Sequence, residues 1–132
     1  MIKKIDHVGI VVKSIDKALE KYSNNFGFKI VESLTDTKQE IKSVMVSINE
    51  ATLELTEPLS ANSSIARFLE QRGEGMHHLS FEVDNIEETM ESFQKKGASL
   101  LSKTAFSLGS RRMNFVLPKS AAGVLIELVE KV

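Results

Sequence analysis

A short motif occurs twice in this chain. Asp6-His7-Val8-Gly9-Ile10 lines up with His77-His78-Leu79-Ser80-Phe81, and Thr52-Leu53-Glu54-Leu55-Thr56-Glu57 lines up with Leu125-Ile126-Glu127-Leu128-Val129-Glu130. The two histidines are 71 positions apart and the two glutamates 73, a drift that one loop absorbs. An internal repeat of this kind means one small supersecondary unit written twice, which narrows the fold sharply. It narrows the chemistry too. Two copies of a His and Glu pair, brought together, make a four-ligand metal site from His7, Glu54, His78 and Glu127.

The local patterns agree with a duplicated plan. Residues 5–12 alternate as a strand, with Val8, Ile10 and Val12 on one face and Ile5, His7, Gly9 and Val11 on the other. That pleat turns His7 away from the more obvious core face. Ser14 suits the N-cap of a helix over 15–26, where Ile15, Leu19, Tyr22 and Phe26 recur at helical spacing and Gly27 supplies the stop. Strands over 29–32, 41–48 and 51–56, the last closed by Pro58, complete a βαβββ module. A connector follows, with a short helix capped by Ser63 or Ser64, running through Leu69 and ended by Gly73 and Gly75. The plan then repeats. A strand spans 76–83, Asn85 caps a helix over 86–96, Gly97 stops it, and strands lie near Leu100, over 113–116 and over 124–129. The expected organisation is one α+β domain, with module one over residues 1–58, a connector over 59–75 and module two over 76–132.

Composition decides which partners are open to such a unit. With no Cys, any metal site must use nitrogen and oxygen donors. Lys+Arg 17 against Asp+Glu 18 leaves a formal charge of −1 without a basic stripe, so a small molecule is favoured over nucleic acid. One Tyr and no Trp make an aromatic stacking platform a poor expectation. Apolar runs fall short of a membrane span, and the N-terminal residues pass straight into an alternating strand rather than a secretory signal. A cytoplasmic protein with no membrane partner is expected.

Each repeated glutamate stands in an apolar strand, opposite the face of its branched neighbours: Glu54 between Leu53 and Leu55, Glu127 between Ile126 and Leu128. Burying an unpaired carboxylate is disfavoured by several kcal/mol, roughly. A divalent cation offsets that cost, and two imidazoles with two carboxylates suit Zn, Co, Ni, Mn or Fe(II). Coordination positions left open by four protein ligands would admit substrate oxygens or waters. Other polar residues read more plainly. His77 aligns with Asp6, should face away from His78 and is expected to be structural; Glu57 and Glu130 repeat at strand ends, where solvated carboxylates are normal. Arg111 and Arg112, with Lys119 nearby, carry donors suited to phosphates but are expected in a solvated loop.

Several stretches carry a family resemblance: Ile5-Asp6-His7-Val8-Gly9-Ile10, Glu54-Leu55-Thr56-Glu57-Pro58-Leu59, Ser64-Ile65-Ala66-Arg67-Phe68-Leu69 running to Gly73-Glu74-Gly75-Met76-His77-His78, Phe81-Glu82-Val83-Asp84-Asn85-Ile86, and Pro118-Lys119-Ser120 with Gly123-Val124-Leu125-Ile126-Glu127-Leu128. The chain resembles the vicinal oxygen chelate superfamily and, within it, the methylmalonyl-CoA epimerase family. The resemblance implies a glyoxalase-like fold in which two repeated βαβββ modules form a curved half-barrel sheet around a divalent metal (Co, Zn, Ni or Mn) held by His7, Glu54, His78 and Glu127. It implies an isomerase that interconverts (R)- and (S)-methylmalonyl-CoA by proton transfer at carbon 2 through a metal-stabilised enolate. Glu127 would be one base and Glu54 the second, the partner a small acyl-CoA substrate, and the assembly a homodimer. Two positions depart from the family pattern. Ser43 stands where some epimerases carry a non-ligand Glu, with Glu40 three residues earlier, and Leu117 stands where His commonly precedes Pro-Lys-Ser. Two sibling activities share the plan: glyoxalase I (lactoylglutathione lyase), with a like ligand set, and the metal-free bleomycin-resistance binders, which have no need for both His and Glu pairs.

Overall fold

One long strand, β1 (Ile2–Val11), runs through both halves of the molecule. The structure, a computed structural model, describes every residue from Met1 to Val132. Its two compact units are Val8–His77, and Met1–His7 together with His78–Val132, so β1 contributes its first residues to one and its last to the other.

In the Val8–His77 unit, β1 leads into a helix, α1 (Ile15–Leu19), then β2 (Lys29–Asp36), β3 (Ile41–Ile48), β4 (Ala51–Pro58) and a second helix, α2 (Ser64–Arg72). The strands are hydrogen-bonded in the order β2-β3-β4-β1. β4 runs parallel to β1, with Gly9 opposite Glu54 and Ile10 opposite Leu55. Val12, Ile15, Val44, Val46 and Leu55 form the core, the helix covering the apolar side of the strands. The start of α1 is fixed twice: Ser14 Oγ accepts from the Lys17 amide at 3.2 Å, and Glu57 Oε1 accepts from the Ile15 amide at 3.1 Å. The helix expected to reach Phe26 is α-helical only to Leu19 and widens to a π-helical segment over Glu20–Asn25. Ser23, Asn24 and Asn25 are weak helix formers, so this end is easily under-wound. The wider turn swings Phe26 out to 58% exposure, off the core face that its spacing implied.

The other unit repeats the plan with β5 (Gly75–Val83, from His78 onward), α3 (Ile86–Lys95), β6 (Phe106–Leu108), β7 (Arg111–Val116) and β8 (Ile126–Lys131). Its strand order is β1-β5-β8-β7-β6. β5 and β8 are parallel, and Ser80 lies opposite Glu127 just as Gly9 lies opposite Glu54. The sequence repeat is thus also a repeat of register. Val83, Ile86, Met90, Val116, Ile126 and Leu128 form this core. Asn85 Oδ1 accepts from the Glu88 amide at 3.0 Å, and Glu130 Oε2 accepts from the Ile86 amide at 3.2 Å.

The expected strand near Leu100 is reduced to a single bridge to Val116, and the edge strand is β6 instead. The cause is Asn114, fully buried on β7. Its side-chain oxygen accepts from the Ser102 amide at 3.2 Å, and its side-chain nitrogen donates to the Ser102 carbonyl at 2.9 Å. A side chain takes the place of a strand partner there. No helix is long and apolar enough to cross a membrane.

Candidate metal centre

In the unit that joins Met1–His7 to His78–Val132, the sequence brings three of the four candidate ligands to one spot. His78 and Ser80 are two apart on β5 and share a face, and Ser80 pairs with Glu127 across the parallel ladder, so His78 and Glu127 project to the same side. His7 of β1 meets them there. Its Nε2 lies 3.2 Å from His78 Nε2 and 3.4 Å from Glu127 Oε1. The imidazoles cross edge to face at 84°, and Phe115 closes on His78 with ring centroids 6.1 Å apart. His7, His78 and Glu127 are all buried, at 5%, 9% and 6% exposure.

These distances fit a shared cation. Ligand atoms about 2.0–2.1 Å from one metal, subtending about 90–110°, lie roughly 2.8–3.4 Å apart. Nitrogen and oxygen donors at 3.2 and 3.4 Å fall inside that range.

Each ligand is held from behind. Ser80 Oγ, itself fully buried, donates to Glu127 Oε1 at 2.7 Å. Asp6 Oδ2 accepts from His7 Nδ1 at 2.7 Å, and Lys131 Nζ reaches the other Asp6 oxygen at 2.6 Å. Burial alone would raise the Asp6 carboxyl, but the hydrogen bonds and charges of His7 and Lys131 reverse this and hold it well below the usual carboxylate range. Asp6, Ser80 and Lys131 were absent from the sequence-based candidates. The signals available were slight: an acid directly before His7, and a hydroxyl at the repeat position that Gly9 fills in the first module.

Glu54 belongs to the Val8–His77 unit, where it is half-buried on β4 between Gly9 of β1 and Met45 of β3. Ile10 and Val12 pack into the core beside α1, as the alternation implied, and His7 lies on the opposite face of β1; that face is itself buried at His7, whereas Ile5, two residues earlier on it, is 60% exposed. His77 packs edge to face on Phe68 of α2 with centroids 5.0 Å apart, a structural role. Glu57 and Glu130 are not merely solvated, since each accepts from the first amide of a helix. Arg111 and Arg112 lie on β7 rather than in a loop, and Arg112 forks onto both carboxylate oxygens of Glu87 on α3. Ser43, in the position of the missing acid, is buried with its hydroxyl 3.1 Å from that of Thr56.

The sequence profile of the Glyoxalase/Bleomycin resistance protein/Dioxygenase superfamily matches residues 6–115. Human mitochondrial methylmalonyl-CoA epimerase is 34% identical over 127 residues, which cover 95% of this chain and 72% of that protein. Among solved structures, methylmalonyl-CoA epimerase from Mycobacterium tuberculosis superposes with a TM-score of 0.93 at 34% identity, over 99% of this chain and 89% of that one. A methylmalonyl-CoA epimerase in complex with methylmalonyl-CoA and NH4+ superposes with a TM-score of 0.93 at 28% identity, over 100% and 96%. The chain therefore belongs to the glyoxalase/bleomycin resistance protein/dioxygenase superfamily, with its fold, and within that superfamily to the methylmalonyl-CoA epimerase family.

Proposed function

We propose that this protein interconverts the (R) and (S) epimers of methylmalonyl-CoA by moving the proton on carbon 2, using His7, Glu54, His78 and Glu127 to hold a divalent cation. The observation that carries the reading is the convergence of His7 Nε2, His78 Nε2 and Glu127 Oε1 at metal-ligand spacing, in a chain 34% identical to a named epimerase.

The substrate sets the physical demand. The proton on carbon 2 lies between a thioester and a carboxylate, and removing it builds an enolate. A bound divalent cation (Co, Zn, Ni or Mn fits these donors) supplies positive charge against that enolate. The protein's own residues do the rest. Glu127, in a water-poor setting and steadied by Ser80, takes and returns the proton on one face of the carbon. Glu54 serves as the second base and the fourth ligand. Its place is supported by the strand pattern: Glu54 pairs with Gly9, and His7 is two residues before Gly9 on the same strand, so the pleat turns both side chains to one side. Family membership further supports one domain that works as a homodimer on an acyl-CoA thioester.

The same superfamily includes isomerases that act on glutathione hemithioacetals, so the test offers both substrates. Incubation in deuterated water is expected to exchange the carbon 2 proton of methylmalonyl-CoA. Hemithioacetal turnover without that exchange overturns the epimerase reading.

A further inference from the structure

The two nitrogens of His7 face different partners. Nδ1 lies 2.7 Å from Asp6 Oδ2, while Nε2 faces His78 and Glu127. The Asp6 side chain is as buried as His7, at 5% exposure, and its second oxygen is ion-paired with Lys131 at 2.6 Å. A carboxylate paired with a lysine accepts hydrogen bonds and has no proton to give, so the His7 proton must sit on Nδ1. In the neutral imidazole that a metal requires, that is the one ring proton, and Nε2 presents its lone pair to the site.

We propose that Asp6, braced by Lys131, is a positioning residue that fixes His7 in its Nδ1-protonated tautomer and so presents the Nε2 lone pair to a divalent cation. This rests on reading the cluster as a metal centre. The repeat does not place an acid at the equivalent position of the second module. The residue before His78 is His77, which packs on Phe68 and carries no carboxylate. Outer partners of this kind orient the ring and raise its basicity, and losing one typically weakens metal binding about 10–100-fold.

The test needs no turnover. Nitrogen-15 imidazole spectra of the metal-free protein report the tautomer, and competition with a chromophoric chelator reports zinc affinity. Wild type is expected to show His7 protonated at Nδ1. Asp6→Ala is expected to release the ring into a mixture of tautomers and to weaken zinc binding about 10–100-fold. Asp6→Asn keeps an acceptor oxygen and is expected to fall between, and Lys131→Met, which leaves the carboxylate in place, to lose less than Asp6→Ala. These two milder variants keep the test open should Asp6→Ala fold poorly. A wild-type His7 protonated at Nε2, or Asp6 variants that lose stability yet bind zinc as tightly as wild type, overturns the positioning role. A wild-type protein that takes up no zinc overturns the metal reading instead, and the metal-free spectrum still judges Asp6 separately.

Discussion

His7 and His78 point their Nε2 atoms at one another across 3.2 Å, inside a buried cluster that also holds Glu127. Two neutral imidazoles facing by lone pairs repel unless a proton or a cation lies between them, and the His7 proton is engaged by Asp6 on the far side of the ring. One divalent ion per chain is the expected stoichiometry, measured by elemental analysis after zinc or cobalt loading. His7→Ala and His78→Ala are each expected to abolish it. Because the ion binds only the folded state, zinc at a hundred times its dissociation constant should add about 2.7 kcal/mol of stability to the wild type, seen as a higher Tm, and nothing to either variant.

Glu127 unites two demands, charge for the cation and basicity for the proton. Glu127→Gln keeps the shape and removes both. Exchange at carbon 2 should fall by about 10²–10⁴ at saturating metal, the usual worth of a positioned base. Ser80→Ala is milder. It deprives a buried carboxylate oxygen of its 2.7 Å donor, and a loss of about 1–3 kcal/mol in urea unfolding is expected.

Glu57 and Glu130 should matter to stability and not to chemistry. Each accepts from the first amide of a helix, Ile15 in one unit and Ile86 in the other. Glu57→Ala and Glu130→Ala are each expected to cost about 0.5–2 kcal/mol in urea unfolding, as lost caps do. The rate of carbon 2 exchange at saturating substrate should stay at the wild-type value. Unchanged stability in both variants would return these residues to ordinary solvated strand ends.

Leu55 and Leu128 are fully buried beside the two repeated glutamates. Truncating either to Ala should destabilise its unit by about 2–5 kcal/mol, since transfer and cavity costs add. Zinc affinity measured well below the melting temperature should change little.

The repeat made the architecture legible because register follows from pairing: once His7-Val8-Gly9 aligns with His78-Leu79-Ser80, the partners Glu54 and Glu127 fall at equivalent rungs. Ser14, Ser63 and Asn85 were readable as caps because capping is local. What stayed hidden depends on contacts distant in sequence. Alternation along β1 offered apolar residues on both faces, so it could not say that His7 is buried and Ile5 exposed. Nothing near Glu57 announces its bond to Ile15, nor near Asn114 its hold on Ser102, which displaces the expected strand at Leu100. Lys131 meets Asp6 from the other end of the chain. The π-helical widening after Leu19 is local, yet apolar spacing at 15, 19, 22 and 26 masked the weak helix formers within it.

The most direct measurement is exchange of the carbon 2 proton of methylmalonyl-CoA in deuterated water, followed by mass spectrometry, with zinc or cobalt supplied and then chelated. Wild-type protein should incorporate one deuterium with metal present and lose that activity on chelation, and His78→Ala should show none under either condition. Exchange by His78→Ala at the wild-type rate would contradict the site assigned to these side chains.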